Sequence, residues 1–522
     1  MIDISDKARK ETLDKDLDKL VNVEEAAGVI SRRLVAPGFA LLFLALTALL
    51  TAIYVSGEPG AIAIIAAAAI GAYMALTIGA NDVANNVGPA VGARALTMAG
   101  ALLIAAIFEA AGALIAGGDV VETISKGIVA PESIGNAQIF IRLMIAALVS
   151  SALWVHLATW IGAPVSTTHS VVGGVLGAAV AAAGFASVDW SVIGAIAASW
   201  VISPVIGGVV AALFLAFIKA AIIYQDEKIV AARRWVPLLI AVMAGTFVAY
   251  LGLKGLKQVV DLGGVAIALL GLAVFGLAWV ASARYVAWQS RGMENRNQSL
   301  RKLFNVPLII SAALLSFAHG ANDVANAVGP VAAIVGVARS GSVEGAVAVP
   351  FWVMMIGAAG ISLGLLLFGP RLVRMVGEQI TKLNPMRAFC VALSAALTVI
   401  VASWFGLPVS STHTAVGAVF GVGFFREWYT ANSKRRRAYL ERKINRQRAE
   451  REAANGTTQA AAADENDLDG EQDSVPLSRE EAIRRRLVRR AHVTTIVAAW
   501  IITVPISALL AAGIYFALTA LA

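Results

Sequence analysis

The chain has 522 residues, of which 58% are hydrophobic and only 15% charged, and its mean hydropathy is +0.76. Soluble domains carry about 25% charged residues, so this composition excludes an ordinary soluble protein and indicates an all-α polytopic membrane protein. The net charge of +8 invites a nucleic-acid reading, but 16 of the 42 Lys and Arg lie between Arg426 and Arg490. Others cluster at Lys7–Lys19, Lys219–Arg234 and Arg284–Lys302. Basic loops between apolar runs mark the cytoplasmic side and attract anionic lipid, which accounts for the charge without nucleic acid.

Residues 1–35 are polar and mixed in charge, and read as a cytoplasmic segment. The first apolar run, Ala36–Ser56, has no clear cleavage pattern and reads as a retained anchor. Runs near the roughly 20 residues that span a bilayer follow at Ala61–Ile78, Ala95–Gly117, Trp190–Ile218 and Trp235–Leu253. Later ones are Asp261–Val280, Val306–Val337, Val349–Gly369 and Val493–Ala522. Placing the basic loops inside puts the N-terminus in the cytoplasm and the acidic stretch Asp119–Glu132 and the C-terminus outside. Cys390 is the only cysteine, so an intrachain disulfide is excluded and a Cys-based metal site has no support.

The segment Gly79-Ala80-Asn81-Asp82-Val83-Ala84-Asn85-Asn86-Val87-Gly88-Pro89 returns as Gly320-Ala321-Asn322-Asp323-Val324-Ala325-Asn326-Ala327-Val328-Gly329-Pro330. A second pair follows in the same order: Pro164-Val165-Ser166-Thr167-Thr168-His169 and Pro408-Val409-Ser410-Ser411-Thr412-His413. Trp200-Val201-Ile202-Ser203-Pro204 is echoed by Trp500-Ile501-Ile502-Thr503-Val504-Pro505. The charged loops run the two Asn-Asp spans in opposite directions, which is the signature of an inverted-topology repeat. The expected division is a first repeat over 36–218, a connecting loop and linking span over 219–260, and a second repeat over 261–425. A cytoplasmic insert over 426–490 and a final span over 491–522 complete it. The flanks of each Pro-Val-Ser segment, whose second arms are short, suit re-entrant helical hairpins. The insert begins basic and helix-prone, and Gly456–Val475 has the composition of a disordered segment.

Asn and Asp are costly inside a membrane span. In a helix Asn81 shares a face with Asn85, and Asp82 with Asn86. The adjacent Gly and Pro predict a discontinuous helix with freed carbonyls in each repeat. Oxygen ligands from Asn81, Asp82, Asn85, Asn86, Asn322, Asp323 and Asn326 suit a hard cation such as Na⁺. One such Asn is as well explained as interhelical glue; two copies, each with an ionisable residue, point to function. The Pro-Val-Ser segments read as helix starts, with Ser or Thr capping N–H groups. Two such ends form an oxyanion site built from Ser166, Thr167, Thr168, Ser410, Ser411 and Thr412. His169, His413 and Glu109 are candidates for proton coupling, although each also fits as a hydrogen-bonded structural group; His319 directly precedes the second Asn-Asp motif. Arg94, Arg339 and Lys126 read as interface anchors. No zinc spacing, nucleophile elbow or P-loop is present, so neither an enzyme nor direct ATP drive is expected, and no cofactor.

These paired motifs resemble those of the inorganic phosphate transporter (PiT) family, over most of 60–220 and 300–425 and the last span. The resemblance implies an electrochemically driven symporter that imports inorganic phosphate with Na⁺ or H⁺ by alternating access. It implies cation-site roles for Asp82, Asn85, Asn86, Asp323 and Asn326, and phosphate ligation by the hairpin Ser and Thr residues. Some relatives carry metal–phosphate complexes and others sulfate, so a tetrahedral-oxyanion permease of the same fold is the nearest alternative and an anion channel the next. The implied setting is the plasma membrane, bacterial inner membrane included, as a single chain or a homo-oligomer in the lipid bilayer. Two departures stand out. Asn86 is matched by Ala327, and Glu122-Thr123-Ile124-Ser125-Lys126-Gly127 is only partly matched by Glu378-Gln379-Ile380-Thr381-Lys382-Leu383.

Overall fold

The computed structural model describes residues 34–129, 133–163, 165–254, 263–343, 349–375, 383–434, 436–439, 441–442, 445 and 490–521. Most of segment 1–35, most of the insert over 426–490, Pro164 and residues 376–382 lie outside the described residues. Among the described residues, eleven helices are long and apolar enough to cross a membrane. In chain order the helices are α1 Leu34–Tyr54, α2 Ala61–Gly92, α3 Met98–Ala116 and the short α4 Gly118–Glu122, which runs into a π-turn over Thr123–Gly127. Then come α5 Ala137–Ile161, α6 Thr167–Ala183, α7 Trp190–Ile218, α8 Lys228–Lys254 and α9 Gly264–Gln289. The second half holds α10 Asn297–Leu303, α11 Asn305–Ser340, α12 Phe351–Met375, α13 Pro385–Trp404, α14 Ser411–Asn432 and α15 Arg490–Ala520.

The expected breaks in the Asn-Asp helices do not occur. Both α2 and α11 are continuous α-helices that carry Pro89 and Pro330 internally. Each Pro removes one backbone donor, and the long flanking helix, buried around the Asn-Asp turn, keeps the rest of the ladder. The chain instead interrupts its helices at the Pro-Val-Ser segments. Gly162 and Gly406, equivalent in the two halves, end α5 and follow α13 in the left-handed region at φ 77° and 68°, a conformation that glycine adopts without a Cβ clash. Four residues later Ser166 and Ser410 cap the next helices, each Oγ accepting from the N–H of His169 or His413 at 3.2 Å. The products are two helical hairpins, α5–α6 and α13–α14.

The two halves are interlocked rather than side by side. α2 packs on α12 and α11 on α3, while α6 packs on α15 and α14 on α7. The closest approaches are at glycines: a Cβ on Gly79 would lie 2.0 Å from the carbonyl oxygen of Ile361, and one on Gly320 the same distance from that of Glu109. Close backbone contact through small residues is how membrane helices gain packing energy. The core divides accordingly. One apolar cluster joins the α5–α6 hairpin to the C-terminal half of α11, and the other joins α13–α14 to the C-terminal half of α2. Each cluster also includes the N-terminal half of the other Asn-Asp helix, so each hairpin tip is held between the polar turns of both repeats.

Candidate functional site

The two hairpin tips and the two Asn-Asp turns converge on one buried polar cluster. Asn81, Asp82, Asn85, Asn86, Asn322, Asp323, Asn326 and all six hairpin hydroxyl residues are buried. The sequence-predicted site residues are therefore brought together, but they do three different jobs.

The first job is anchoring. Asn81 Nδ2 donates to Thr159 Oγ1 at 2.9 Å, and its equivalent Asn322 donates to Ser403 Oγ at 3.0 Å. Each thus ties the Asn-Asp helix to the hairpin of its own repeat. Ser166 and Ser410 belong here too, since their oxygens cap α6 and α14.

The second job is crossing between repeats. Asn85 Nδ2 donates to Thr412 Oγ1 at 2.9 Å, and Asn326 Nδ2 donates to Thr168 Oγ1 at 3.2 Å. Thr412 Oγ1 in turn donates across to Asp82 Oδ1 at 2.9 Å, whereas Ser411 Oγ donates within its own repeat to Asp323 Oδ2 at 3.2 Å. Thr167 Oγ1 lies between the two acids, 3.0 Å from Asp82 Oδ2 and 3.2 Å from Asp323 Oδ2. A hydroxyl has one proton to donate, so Thr167 serves only one of the two carboxylates at a time. Thr168 donates instead to the Val409 carbonyl at 3.2 Å.

The third job is charge. His319, which precedes the second motif, places Nε2 3.1 Å from Asp323 Oδ2 and 3.8 Å from Asp82 Oδ2. Its Nδ1 lies 3.3 Å from Glu109 Oε1, which also accepts from Asn86 Nδ2 at 2.7 Å. Three buried carboxylates therefore surround one imidazole, without Lys or Arg among the described partners. Desolvated carboxylates cost several kcal/mol each unless compensated. Ligand atoms of Asp82, His319 and Asp323 all lie within 4.8 Å of one another. Asp323 Oδ1, Glu109 Oε2 and the Oδ1 atoms of Asn81, Asn86, Asn322 and Asn326 find no donor among the described residues. Buried polar atoms are normally satisfied, and a set of acceptor-only oxygens fits a hard cation.

Sequence reasoning included Glu109 but left His319 out of the site. The signal was available: His319 aligns with Ile78, so the second motif carries an extra polar residue on its first turn. His169 and His413 go elsewhere. Their rings lie 4.4 Å apart, and His169 sits edge-on to Trp200 at 3.7 Å, between the hairpins rather than against the acids. Thr123, in the partly repeated Glu122–Gly127 stretch, donates to the Gly406 carbonyl at 2.7 Å and so touches the turn of the second hairpin. Arg339 forms a two-pronged pair with Glu58 at the end of α11, an anchoring role.

A family model described as the phosphate transporter family matches residues 78–511. A Helicobacter pylori protein named "Putative phosphate permease" is 46% identical over 96% of this chain and 98% of its own length. A relative of the same description from Thermococcus kodakarensis is 39% identical over 68% of this chain and 87% of its own. Among solved structures, one named "The sodium-dependent phosphate transporter" superposes with a TM-score of 0.73 at 32% identity, covering 88% of this chain and all of that one. The match spans both Asn-Asp turns and both hairpins, and the chain belongs to the phosphate transporter family.

Proposed function

We propose that this chain imports inorganic phosphate by symport with Na⁺, exposing one site between the two repeats alternately to either side of the membrane. The observation that carries the reading is the direct wiring of hairpin hydroxyls to the two carboxylates. Thr167, Ser411 and Thr412 spend their protons on Asp82 and Asp323. A cation taken up by those carboxylates removes their need for the hydroxyls, which then turn to an anion. Cation and anion binding are coupled because both act on the same three side chains. Na⁺ is favoured over H⁺ by the carboxylate and amide oxygens left without a donor and by the sodium dependence of the similar solved transporter. Phosphate is favoured over sulfate because a protonated phosphate also donates to a carboxylate, which sulfate at neutral pH cannot do.

In this reading Asp82, Asn85, Asn86, Asp323, Asn326 and Glu109 hold the cations, and Thr167, Thr168, Ser411 and Thr412 with the capped starts of α6 and α14 hold the anion. Ser166 and Ser410 hold those helix starts in place. The basic loops orient the chain with the N-terminus in the cytoplasm and the C-terminus outside, in a plasma membrane. The two hairpins then enter the membrane from opposite faces, and they form the unit that moves against the remaining spans. The test is uptake of radiolabelled phosphate into proteoliposomes, with Na⁺ and pH gradients imposed separately and excess sulfate as competitor. Uptake that follows the Na⁺ gradient and ignores sulfate is expected. Uptake that follows only the pH gradient replaces Na⁺ by H⁺, and uptake that follows neither removes the symport reading.

A further inference from the structure

A second anion-attracting feature lies away from the transport site. The end of α2, α10, the start of α11, the end of α12 and the start of α13 enclose a cavity of about 840 Å³. Arg94, Arg301, Lys302 and Arg374 line it, contributed by three separate segments, and no described lining residue is acidic. The same basic-loop reasoning places all of these segments on the cytoplasmic side.

Three observations indicate more than loop charge. Four cations that face one concavity repel one another, and a concavity focuses their field on whatever anion enters it. Pro385 lines the cavity as the first residue of the long helix α13, whose N-terminal end carries partial positive charge. Arg94 is the only described non-glycine residue with positive φ, at 58°. A glycine would sit there without strain. Arg94 follows the end of α2 in a tight turn, in which Ala95 N–H donates to the Ala90 carbonyl at 2.9 Å, and this turn fixes it at the cavity wall.

We propose that this cavity binds a phosphate-bearing anion, either a soluble organic phosphate or the headgroup of an anionic lipid, separately from the transported ion. The volume lies in the range of small-molecule pockets, about 300–1,000 Å³, so it accommodates more than a single inorganic phosphate. Arg94 lies eight residues beyond Asn86, and the intervening stretch of α2 ends as one wall of the cavity. Occupancy of the cavity therefore bears on the helix that carries Asp82, and cytoplasmic ligand modulates transport.

The experiment uses the full chain with saturating inorganic phosphate present, so that the transport site is filled. ATP binding is measured by thermal shift and calorimetry in detergent. Uptake is measured in phosphatidylcholine vesicles with and without phosphatidylglycerol. The double variant Lys302→Gln/Arg374→Gln is compared with Lys302→Arg/Arg374→Lys. The proposal expects a response to ATP or to phosphatidylglycerol that weakens about tenfold in the Gln variant, the value of losing one or two charge-assisted contacts, and is restored in the charge-conserving one. Which probe acts identifies the source of the phosphate group. The absence of any response in the wild-type protein, or an equal response in the Gln variant, overturns it. Phosphate uptake in phosphatidylcholine vesicles without ATP is expected to be unchanged in both variants, which separates failure of this site from failure of the transport site.

Discussion

Asn86, Glu109 and His319 meet beside the two Asn-Asp turns, whereas the equivalent positions of the other repeat hold Ala327, Ile361 and Ile78. The equivalence rests on packing as well as on sequence, because Glu109 and Ile361 present their carbonyls to Gly320 and Gly79 at the same distance. The three apolar residues belong to the large hydrophobic cluster around the first hairpin. The three polar ones form a hydrogen-bonded and charged corner. Among the asparagines the repeats match: Asn81 with Asn322 on the hairpins, Asn85 with Asn326 on the opposite threonines. The common parts therefore define the site, and the unequal corner gives it a third carboxylate on one side only. A buried acid is a poor way to gain stability, which fits the cation role proposed for this corner.

The shared part should be the most sensitive to mutation. Asp82→Asn and Asp323→Asn should each lower phosphate uptake about a hundredfold or more, with protein still present in the membrane, because each removes a partner from a buried charged network. Near-normal uptake in either variant would undo the equivalence of the two half-sites. Next in size is the unequal corner. Glu109→Gln should reduce Na⁺-driven uptake about tenfold, whereas Ile361→Val should change uptake by less than about twofold and cost only about 1 kcal/mol of stability. Equal losses in both would mean that Glu109 serves packing rather than cations.

A smaller contrast separates two threonines that the sequence does not distinguish. Thr412 donates to a carboxylate and Thr168 to a backbone carbonyl. Thr412→Val should lower the Na⁺ concentration needed for half-saturation in the absence of phosphate about tenfold, because the cation no longer displaces a charge-assisted bond, and Thr168→Val, which removes no bond to a carboxylate, should leave it unchanged within about twofold. The mildest change is structural. Ser166→Ala and Ser410→Ala each lose a helix cap and should destabilise the protein by about 1 kcal/mol, equally in the two repeats, as read from thermal unfolding in detergent.

Much of this was legible in the sequence because membrane burial makes polar residues conspicuous. Two copies of Asn-Asp-x-x-Asn and two of Pro-Val-Ser are enough to place the candidate site, and apolar length marks all the candidate spans except α5 and α13, which read as hairpin flanks. What the sequence did not reveal follows from packing. Pro89 and Pro330 suggested breaks, but long packed helices tolerate one lost donor, and the interruption sits instead at Gly162 and Gly406, where positive φ turns the chain. The division of labour between Asn81 and Asn85, neighbours on one helical face, depends on which hairpin each side chain meets. That in turn depends on the position of both hairpin tips between the two Asn-Asp turns, which sequence order does not reveal. His319 lacked a counterpart in the first repeat and so fell outside a reading based on paired motifs.

In the proposed coupling, Asp82 and Asp323 compete with phosphate for the hydroxyls of Thr167, Ser411 and Thr412 until a cation relieves them. The decisive experiment is the affinity of the purified protein for phosphate, measured calorimetrically over a series of Na⁺ concentrations at constant ionic strength. Phosphate should bind at least about tenfold more tightly at saturating Na⁺ than in its absence, a coupling of the size typical between linked sites. The Thr412→Val variant should show a smaller ratio. A phosphate affinity that does not change with Na⁺ would rule this competition out.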